Sequence, residues 1–219
     1  RKLILDNLTE AASEWKLTFS KGVLMSGLPG TGKSLMAKKT AQILGVPLIK
    51  LDMGALMGRY LGESEENMQK AQKMAVALSP CVLWIDELEK SFAGVNSSNG
   101  DNDSVMRCFS SFLTWMQDKK APCFIFATAN DISRLPAEFL RRGRFDEKFY
   151  TYMPTQKECM EIFSALMAQM NQPCGLTGRR LFEESILQDR FLYEIVEYAG
   201  SKNKFLIGAD IGGILNDAV

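Results

Sequence analysis

The sequence contains no histidine among its 219 residues. Imidazole is the commonest transition-metal ligand and the usual proton carrier near neutral pH. Its absence therefore excludes histidine-based metal sites, serine–histidine nucleophiles and histidine proton shuttles. The chain also has no net charge, with 26 basic and 26 acidic residues, so its overall charge does not favour nucleic acid, although a local basic patch stays open.

Cysteine is sparse, and its spacing is not that of a metal site. The five cysteines include no C-x-x-C pair. Two of them lie in apolar strand-like runs and two on apolar helix faces, so we expect reduced core residues. These four are Cys81, Cys123, Cys108 and Cys159.

Long apolar runs are missing as well. No run approaches the roughly 20 residues that span a bilayer, and no signal-peptide pattern opens the chain, so we expect no membrane contact. Because the sequence begins at Arg1 rather than at a methionine, we expect it to be part of a longer protein.

The most informative feature present is the segment Gly27–Ser34, GLPGTGKS, a complete G-x-x-x-x-G-K-S phosphate-binding loop. In such loops backbone N–H groups surround the phosphates, the lysine contacts them, and the hydroxyl binds Mg²⁺. An apolar run precedes the segment and a helical pattern follows it, which disfavours a chance glycine-rich turn. The sequence thus predicts ATP and Mg²⁺ as cofactors. The predicted nucleotide-binding residues here are Leu28, Pro29, Gly30, Thr31, Gly32, Lys33, Ser34 and Leu35.

Strand-like runs alternate with helical patterns over the first two thirds of the chain. Beyond the strand before the phosphate loop, runs occur at 48–52, 81–86, 123–128 and 147–152. Near-continuous apolarity in the middle runs is typical of parallel strands buried on both faces. The pattern predicts an α/β fold, a five-stranded parallel P-loop sheet with helices on both faces.

Only helical patterns follow Pro154. Thr155 and Glu158 form a T-x-x-E capping box, and three apolar stripes with helical spacing come after them. We therefore predict a nucleotide-binding α/β domain over 1–154 and a small all-helical domain over 155–219.

Two adjacent acids end the strand-like run VLWIDE. Asp86 at the strand tip is suited to hold Mg²⁺ opposite Ser34. Glu87 is suited to polarise a water that attacks the γ-phosphate. An apolar strand ending in two acids is common, but about 50 residues after a phosphate loop it favours hydrolysis of ATP by water.

Two further polar segments come later in the chain. Asn130 ends the next strand, where its amide suits a contact with the attacking water or the γ-phosphate; an asparagine in a turn is the alternative. Arg141, Arg142 and Arg144 surround a glycine, which is typical of a solvated surface but also of an arginine finger reaching a neighbouring subunit.

The segments GLPGTGKS, VLWIDE, ATAN and LRRGRFD, in this order and spacing, resemble those of AAA ATPases. The resemblance implies a five-stranded α/β domain with a helical lid, and ATP bound between neighbouring subunits of a homo-oligomer, expected to be a hexamer. It also implies that Lys33 binds phosphate, that Ser34 and Asp86 hold Mg²⁺, and that Glu87 is the catalytic base.

Further roles follow from the same resemblance. Asn130 corresponds to the first sensor, Arg141 and Arg144 to paired arginine fingers, and Gly208 and Ala209 to the lid turn beside the adenine. Three departures stand out. Arg142 occupies a position that is often proline in the family, and the residues that cover the adenine lie upstream of Leu5, where only part of that segment can be present. The helical domain over 155–219 corresponds to the lid, and we expect it to be cut short at its carboxyl end, before the family's usual last helix.

The segment GRYLGESE is similar to the family's first pore loop, in which an aromatic residue faces a central channel. The resemblance implies that Arg59, Tyr60 and Leu61 contact a polypeptide, and aromatic loop residues are suited to such contacts. A tyrosine packed beneath a loop is the alternative.

A narrower resemblance rests on residues 5–8, 81–87, 112–115 and 145–147. They are similar to AAA proteins of a hypothetical open reading frame of algal chloroplasts, with relatives in cyanobacteria and other bacteria. This similarity implies a bacterial cytoplasm or a chloroplast stroma and does not identify a substrate.

Three functions remain open at this point. The preferred one is a ring-forming ATPase that remodels or threads an unknown protein substrate. A nucleotide-switched assembly scaffold is the second, which an intact Glu87 and both arginines disfavour. The third, a nucleic-acid motor or loader, is disfavoured by zero net charge and by the aromatic Tyr60, although Arg59 keeps it open.

Overall fold

The structure is a computed structural model that describes residues 20–56, 63–92, 101–141, 143–171, 189–201 and 206–217. Within these residues five strands form one sheet in the order β2-β3-β4-β1-β5. The strands are β1 (Gly22–Gly27), β2 (Leu48–Leu51), β3 (Cys81–Ile85), β4 (Cys123–Ala129) and β5 (Glu147–Thr151). Residues 3–17, whose weakly amphipathic pattern predicts a helix, lie outside the described residues.

The sheet is parallel. The ladders β2–β3, β3–β4 and β4–β1 run in the same direction. At β5, the Asp146 N–H donates to the Gly22 carbonyl at one end and the Ser26 hydroxyl donates to the Phe149 carbonyl at the other. Residue numbers increase in the same direction along β1 and β5 between these two contacts, so β5 is parallel to β1. The predicted five-stranded parallel sheet is confirmed.

Helices connect and follow the strands. Their bounds are α1 (Lys33–Leu44), α2 (Met53–Leu56), α3 (Glu63–Ala77), α4 (Asp101–Asp118), α5 (Ala137–Leu140), α6 (Gln156–Met170), α7 (Asp189–Ser201) and α8 (Gly208–Asp217). Short 3₁₀ turns occur at Leu88–Phe92 and Ile132–Arg134. Among the described residues, no helix combines the length and apolarity that crossing a membrane requires.

The central strands are buried on both faces. Every residue of β1, β3 and β4 is buried, which explains their near-continuous apolarity. On one face, α4 contributes residues at helical spacing, among them Phe109 and Phe112. On the other face, Ala37 and Ala41 of α1 pack against the sheet. Burial on both faces fixes the carboxyl ends of these strands, where the candidate site lies.

The chain divides into two compact units by its internal contacts. One contains Arg1–Gly27 and Lys33–Tyr150, and the other contains Leu28–Gly32 and Thr151–Val219. The second unit has its own core of α6, α7 and α8, which includes Phe163, Val196 and Ile211.

The predicted capping box begins α6. The Glu158 N–H donates to the Thr155 hydroxyl at 3.3 Å, and the Thr155 N–H donates to the Glu158 carboxylate at 2.7 Å. These two reciprocal bonds satisfy backbone donors that would otherwise be unpaired at the helix start. The Thr155 N–H and hydroxyl both donate to the Glu158 carboxylate, and they lower the pKa of Glu158 because they favour its ionised form. The four cysteines expected in the core are buried and free, and Cys174 lies outside the described residues.

Candidate functional site

Glycine is required at two positions of the phosphate loop. Gly30 and Gly32 have φ values of 79° and 88°, in the left-handed region that side chains disfavour. The Thr31 hydroxyl donates to the Leu28 carbonyl at 2.8 Å and lies 2.8 Å from the Thr151 hydroxyl. This part of the loop is therefore held by its own side chain as well as by its backbone.

Lys33 begins α1 and is buried, with 6% of its surface exposed. Its Nζ donates to the Gly27 carbonyl at 2.8 Å, across the ends of the loop. Burial lowers the pKa of Lys33, and the negative charges of Glu89, Asp86 and Glu87 oppose this effect. A buried ammonium held beside three carboxylates is suited to bind an anion such as a phosphate.

Asp86 follows the last residue of β3 and accepts two hydroxyl hydrogen bonds on Oδ1. Ser34 donates at 2.9 Å and Thr128 at 2.8 Å. Lys50 Nζ lies 3.7 Å from the other carboxylate oxygen, Oδ2. The two predicted magnesium ligands thus lie within hydrogen-bond distance of each other. A hydroxyl beside a carboxylate fits Mg²⁺, which prefers oxygen ligands and usually keeps several waters.

Glu87 has a left-handed backbone, with φ of 50°. For a residue with a side chain this conformation costs on the order of 1–3 kcal/mol and persists only where the surroundings hold it. Here the Glu87 N–H donates to the Thr128 hydroxyl at 3.0 Å. Both carboxylate oxygens are also in contact: Oε1 accepts from Asn130 Nδ2 at 3.0 Å, and Oε2 lies 2.6 Å from Lys90 Nζ.

Asn130 lies between two glutamates. Its side-chain amide donates to Glu87, and its backbone N–H donates to Glu89 Oε1 at 3.0 Å. Glu89 is 6% exposed, and within the described residues its Oε2 is buried without a hydrogen-bond partner. Because Glu89 fixes the Asn130 backbone, it also orients the amide that contacts Glu87.

The two predicted finger arginines differ in exposure. The Arg141 side chain is 69% exposed, and its Nη2 lies 3.8 Å from the Glu138 carboxylate. Arg144 is half-buried, and its Nη1 is buried with no hydrogen-bond partner among the described residues. Between them, Gly143 has φ of 90° and forms the turn. Arg141 is the better placed of the two to reach another molecule.

Gly208 and Ala209, predicted to lie beside the adenine, form the start of α8. The Ile207 N–H donates to Asp210 Oδ2 at 3.1 Å, which satisfies a backbone donor at the helix start. This turn lies close to the phosphate loop, since the Gly30 carbonyl oxygen is 3.3 Å from the position of a Cβ at Gly208.

The remaining predicted site residues are exposed or lie outside the described residues. Leu35 and Leu28 are exposed, at 56% and 38%, and Pro29 is exposed beside Leu28. The predicted pore-loop residues Arg59, Tyr60 and Leu61 lie outside the described residues, as does Arg142.

Three residues of the site were not predicted from the sequence: Thr128, Glu89 and Lys90. Thr128 carries the hydroxyl in an otherwise apolar buried strand, and that isolated polar position is a signal that sequence inspection could use. Glu89 and Lys90 follow the two predicted acids, and the density of charge directly after a buried strand is a second signal. Their contacts depend on the 3₁₀ turn at Leu88–Phe92, which the sequence pattern did not predict.

Comparison with known proteins matches residues 23–153 to a family model described as "ATPase family associated with various cellular activities (AAA)". The "Uncharacterized AAA domain-containing protein ycf46" of Guillardia theta is 39% identical over 216 residues, which cover 94% of this chain and 42% of that protein. The protein of the same name in Pyropia yezoensis is 44% identical over 179 residues, covering 82% and 36%.

A more distant relative is the peroxisomal ATPase pex6 of Schizosaccharomyces pombe. It is 32% identical over 203 residues, which cover 90% of this chain and 20% of that protein. The chain therefore spans less than half the length of these curated relatives.

The contact between the phosphate loop and the turn before α8 leads to a test with a matched control. Alanine at Gly30 or at Gly32 forces a side chain into a left-handed backbone, at about 1–2 kcal/mol. At Gly30 the new Cβ would also lie 2.4 Å from Ile207 Cδ1, whereas at Gly32 it meets nothing within 4 Å. We expect Gly30→Ala to lower the free energy of unfolding by about 0.5–1.5 kcal/mol more than Gly32→Ala does, because the Ile207 side chain must leave its preferred rotamer, as measured by urea denaturation.

Ile207→Ala separates the two causes. In that background the excess cost of Gly30→Ala over Gly32→Ala should fall, because the Ile207 contacts are gone and only the Ala209 Cβ, at 3.1 Å, stays close. Equal costs for the two glycine substitutions in the unaltered chain would contradict the close approach.

Proposed function

Since the chain belongs to the AAA family of ATPases, we propose that it hydrolyses Mg-ATP, with Glu87 as the general base. The observation that carries the proposal is the Thr128 hydroxyl, which donates to Asp86 and accepts from the Glu87 N–H. One side chain thereby holds the proposed magnesium ligand and the proposed base side by side.

Binding uses the phosphate loop and its flanking residues. Lys33 exchanges its contact with the Gly27 carbonyl for the β- and γ-phosphate oxygens, so little rearrangement is needed. Ser34 and Asp86 hold Mg²⁺, which would neutralise charge on those phosphates. Gly208 and Ala209 contact the adenine in this proposal, next to the loop residue Gly30.

Hydrolysis uses the carboxylate–amide pair. Glu87 accepts a proton from the attacking water, and Asn130 orients the carboxylate and contacts the water or the γ-phosphate. Glu89 holds the Asn130 backbone and keeps the amide in position.

The arginines support the proposal of a ring. Arg141 is exposed and 3.8 Å from its nearest acidic partner, so its guanidinium is accessible to a nucleotide bound on a neighbouring subunit. We place Arg141 and Arg144 as fingers in trans within a homo-oligomer, expected to be a hexamer. An arginine in this role contributes on the order of 10³–10⁵ in rate.

We propose separate roles for the two parts of the chain. The α/β part of the chain is the nucleotide-binding domain, and the helices after residue 154 form the lid. Turnover in the ring remodels or threads a protein past Tyr60. We propose a chloroplast stroma or a bacterial cytoplasm as the compartment, in line with the relatives from algae.

Glu87→Gln tests the chemistry. It keeps the size of the side chain and removes the proton acceptor, so we expect turnover to fall by about 10²–10⁴ while ATP affinity stays close to that of the unaltered protein. Steady-state hydrolysis and equilibrium binding of ATP measure the two effects. Glu66→Gln is the matched control, because Glu66 also pairs with a lysine, Lys70, far along the chain from the site. Undiminished turnover in Glu87→Gln would remove Glu87 from its proposed role.

Mixing two inactive variants tests the arginine in trans. Arg141→Ala keeps Glu87 and Glu87→Gln keeps Arg141, so a mixed ring contains sites in which both groups are intact. We expect each variant alone to be inactive and the mixture to recover part of the activity, and we expect specific activity to rise with protein concentration. A mixture that assembles and binds ATP yet stays inactive would argue that Arg141 acts within its own subunit.

Tyr60→Ala separates threading from a scaffold role. We expect basal hydrolysis to persist, because Tyr60 has no proposed role in the chemistry, and stimulation by an unfolded polypeptide such as casein to be lost. Tyr60→Phe, which keeps the ring, should retain the stimulation. Stimulation that survives Tyr60→Ala would contradict the pore contact.

A further inference from the structure

Lys90 lies against the proposed base because of the local backbone. The 3₁₀ turn Leu88–Phe92 follows Glu87 directly, and the Lys90 N–H donates to the Glu87 carbonyl at 2.9 Å. Side chains three residues apart are eclipsed in a 3₁₀ turn. The turn therefore brings the Lys90 ammonium to 2.6 Å from Glu87 Oε2.

This contact occupies the second oxygen of the Glu87 carboxylate. Asn130 already donates to Oε1 at 3.0 Å, so both oxygens are engaged by side chains of the same chain. A short charge-assisted bond from an ammonium is stronger than one from a neutral amide. The same hydrogen bond and charge raise the pKa of Lys90, since both favour its charged form.

The pair is exposed enough to open. The Lys90 side chain is 67% exposed and that of Glu87 is 39% exposed, so solvent screens their attraction. Lysine has a flexible four-carbon stem, and its ammonium can leave for solvent without moving the backbone. By contrast, Asn130 is fixed through its own backbone by the buried Glu89.

From this arrangement we propose that Lys90 is an inhibitory positioning residue, whose ion pair with Glu87 holds the base inactive until the pair opens. The proposal rests on the proposed role of Glu87 in ATP hydrolysis. With the Lys90 ammonium on Oε2 and the Asn130 amide on Oε1, the carboxylate is held between two donors, and the attacking water must displace one of them to be oriented by Glu87. Turnover is then reduced by the fraction of molecules in which the pair is closed.

The kinetic test removes the ammonium. Lys90→Met keeps the aliphatic stem, and we expect it to raise the basal kcat of ATP hydrolysis by roughly two- to fivefold, the range that an exposed ion pair supports, without changing KM. Lys90→Arg keeps the charge and should remain close to the unaltered protein. Lys70→Met is the matched control, because Lys70 is as exposed as Lys90 and pairs with Glu66 at 2.7 Å, and it should leave kcat unchanged.

The second test needs no nucleotide. In the protein with ¹⁵N-labelled lysine side chains, NMR should show a Lys90 ammonium whose pKa exceeds the ordinary lysine value, and Lys90→Arg assigns the signal. In Glu87→Gln that pKa should return toward the ordinary value.

The outcomes are distinct. A kcat of Lys90→Met that is unchanged or lowered, a rise that Lys70→Met reproduces, or a Lys90 signal that ignores Glu87→Gln would overturn the inhibitory pair. Absence of ATP hydrolysis in the unaltered protein would overturn the proposed function and the inhibitory role with it. An active protein in which Lys90→Met has no effect would overturn the inhibitory role alone.

Discussion

The candidate site depends on the hydrogen bonds that Asp86 Oδ1 accepts from Ser34 and Thr128. They join three separate elements: the helix after the phosphate loop, the end of β3 and the end of β4. The sheet register produces this meeting, because Ile85 pairs with Ala127 and the next residues, Asp86 and Thr128, come out side by side. A carboxylate with two hydroxyl donors on one oxygen keeps a fixed orientation, and the other groups of the site are arranged around it.

Around this centre, charge is balanced over a short distance. Lys50 forms an ion pair with Asp86, and Lys90 forms one with Glu87. The charge of Lys33 is attracted by Glu89, Asp86 and Glu87. Before an anionic ligand arrives, the amines of the site thus have partners within the chain. A phosphate must replace such a partner on Lys33, whereas a divalent cation can bind Asp86 while the Thr128 hydroxyl still holds Oδ1. The site is therefore arranged so that the phosphate exchanges a contact that the lysine already makes.

Much of this could be predicted from sequence because the governing constraints are local. Two-sided burial makes the central strands apolar, so the sheet was predicted and confirmed, and the family resemblance with it. Left-handed backbone at Gly30 and Gly32 restricts those two positions to glycine, which makes the phosphate loop recognisable in the sequence. Thr128 and Glu89 were missed because their roles arise between strands, where sequence separations of about forty residues carry no pattern. Lys90 was missed because the 3₁₀ turn that aims it has no strong sequence signature.

The left-handed backbone at Glu87 lowers the stability of the folded protein at the position of the proposed base. A glycine there would adopt the same φ without steric cost, so the protein with glycine at this position would be relieved of a strain that glutamate imposes. That change would also delete the carboxylate. If Glu87 is the base as proposed, selection for thermal stability alone at this turn would favour glycine and remove ATP hydrolysis, so a search for stable variants needs an activity screen at this position.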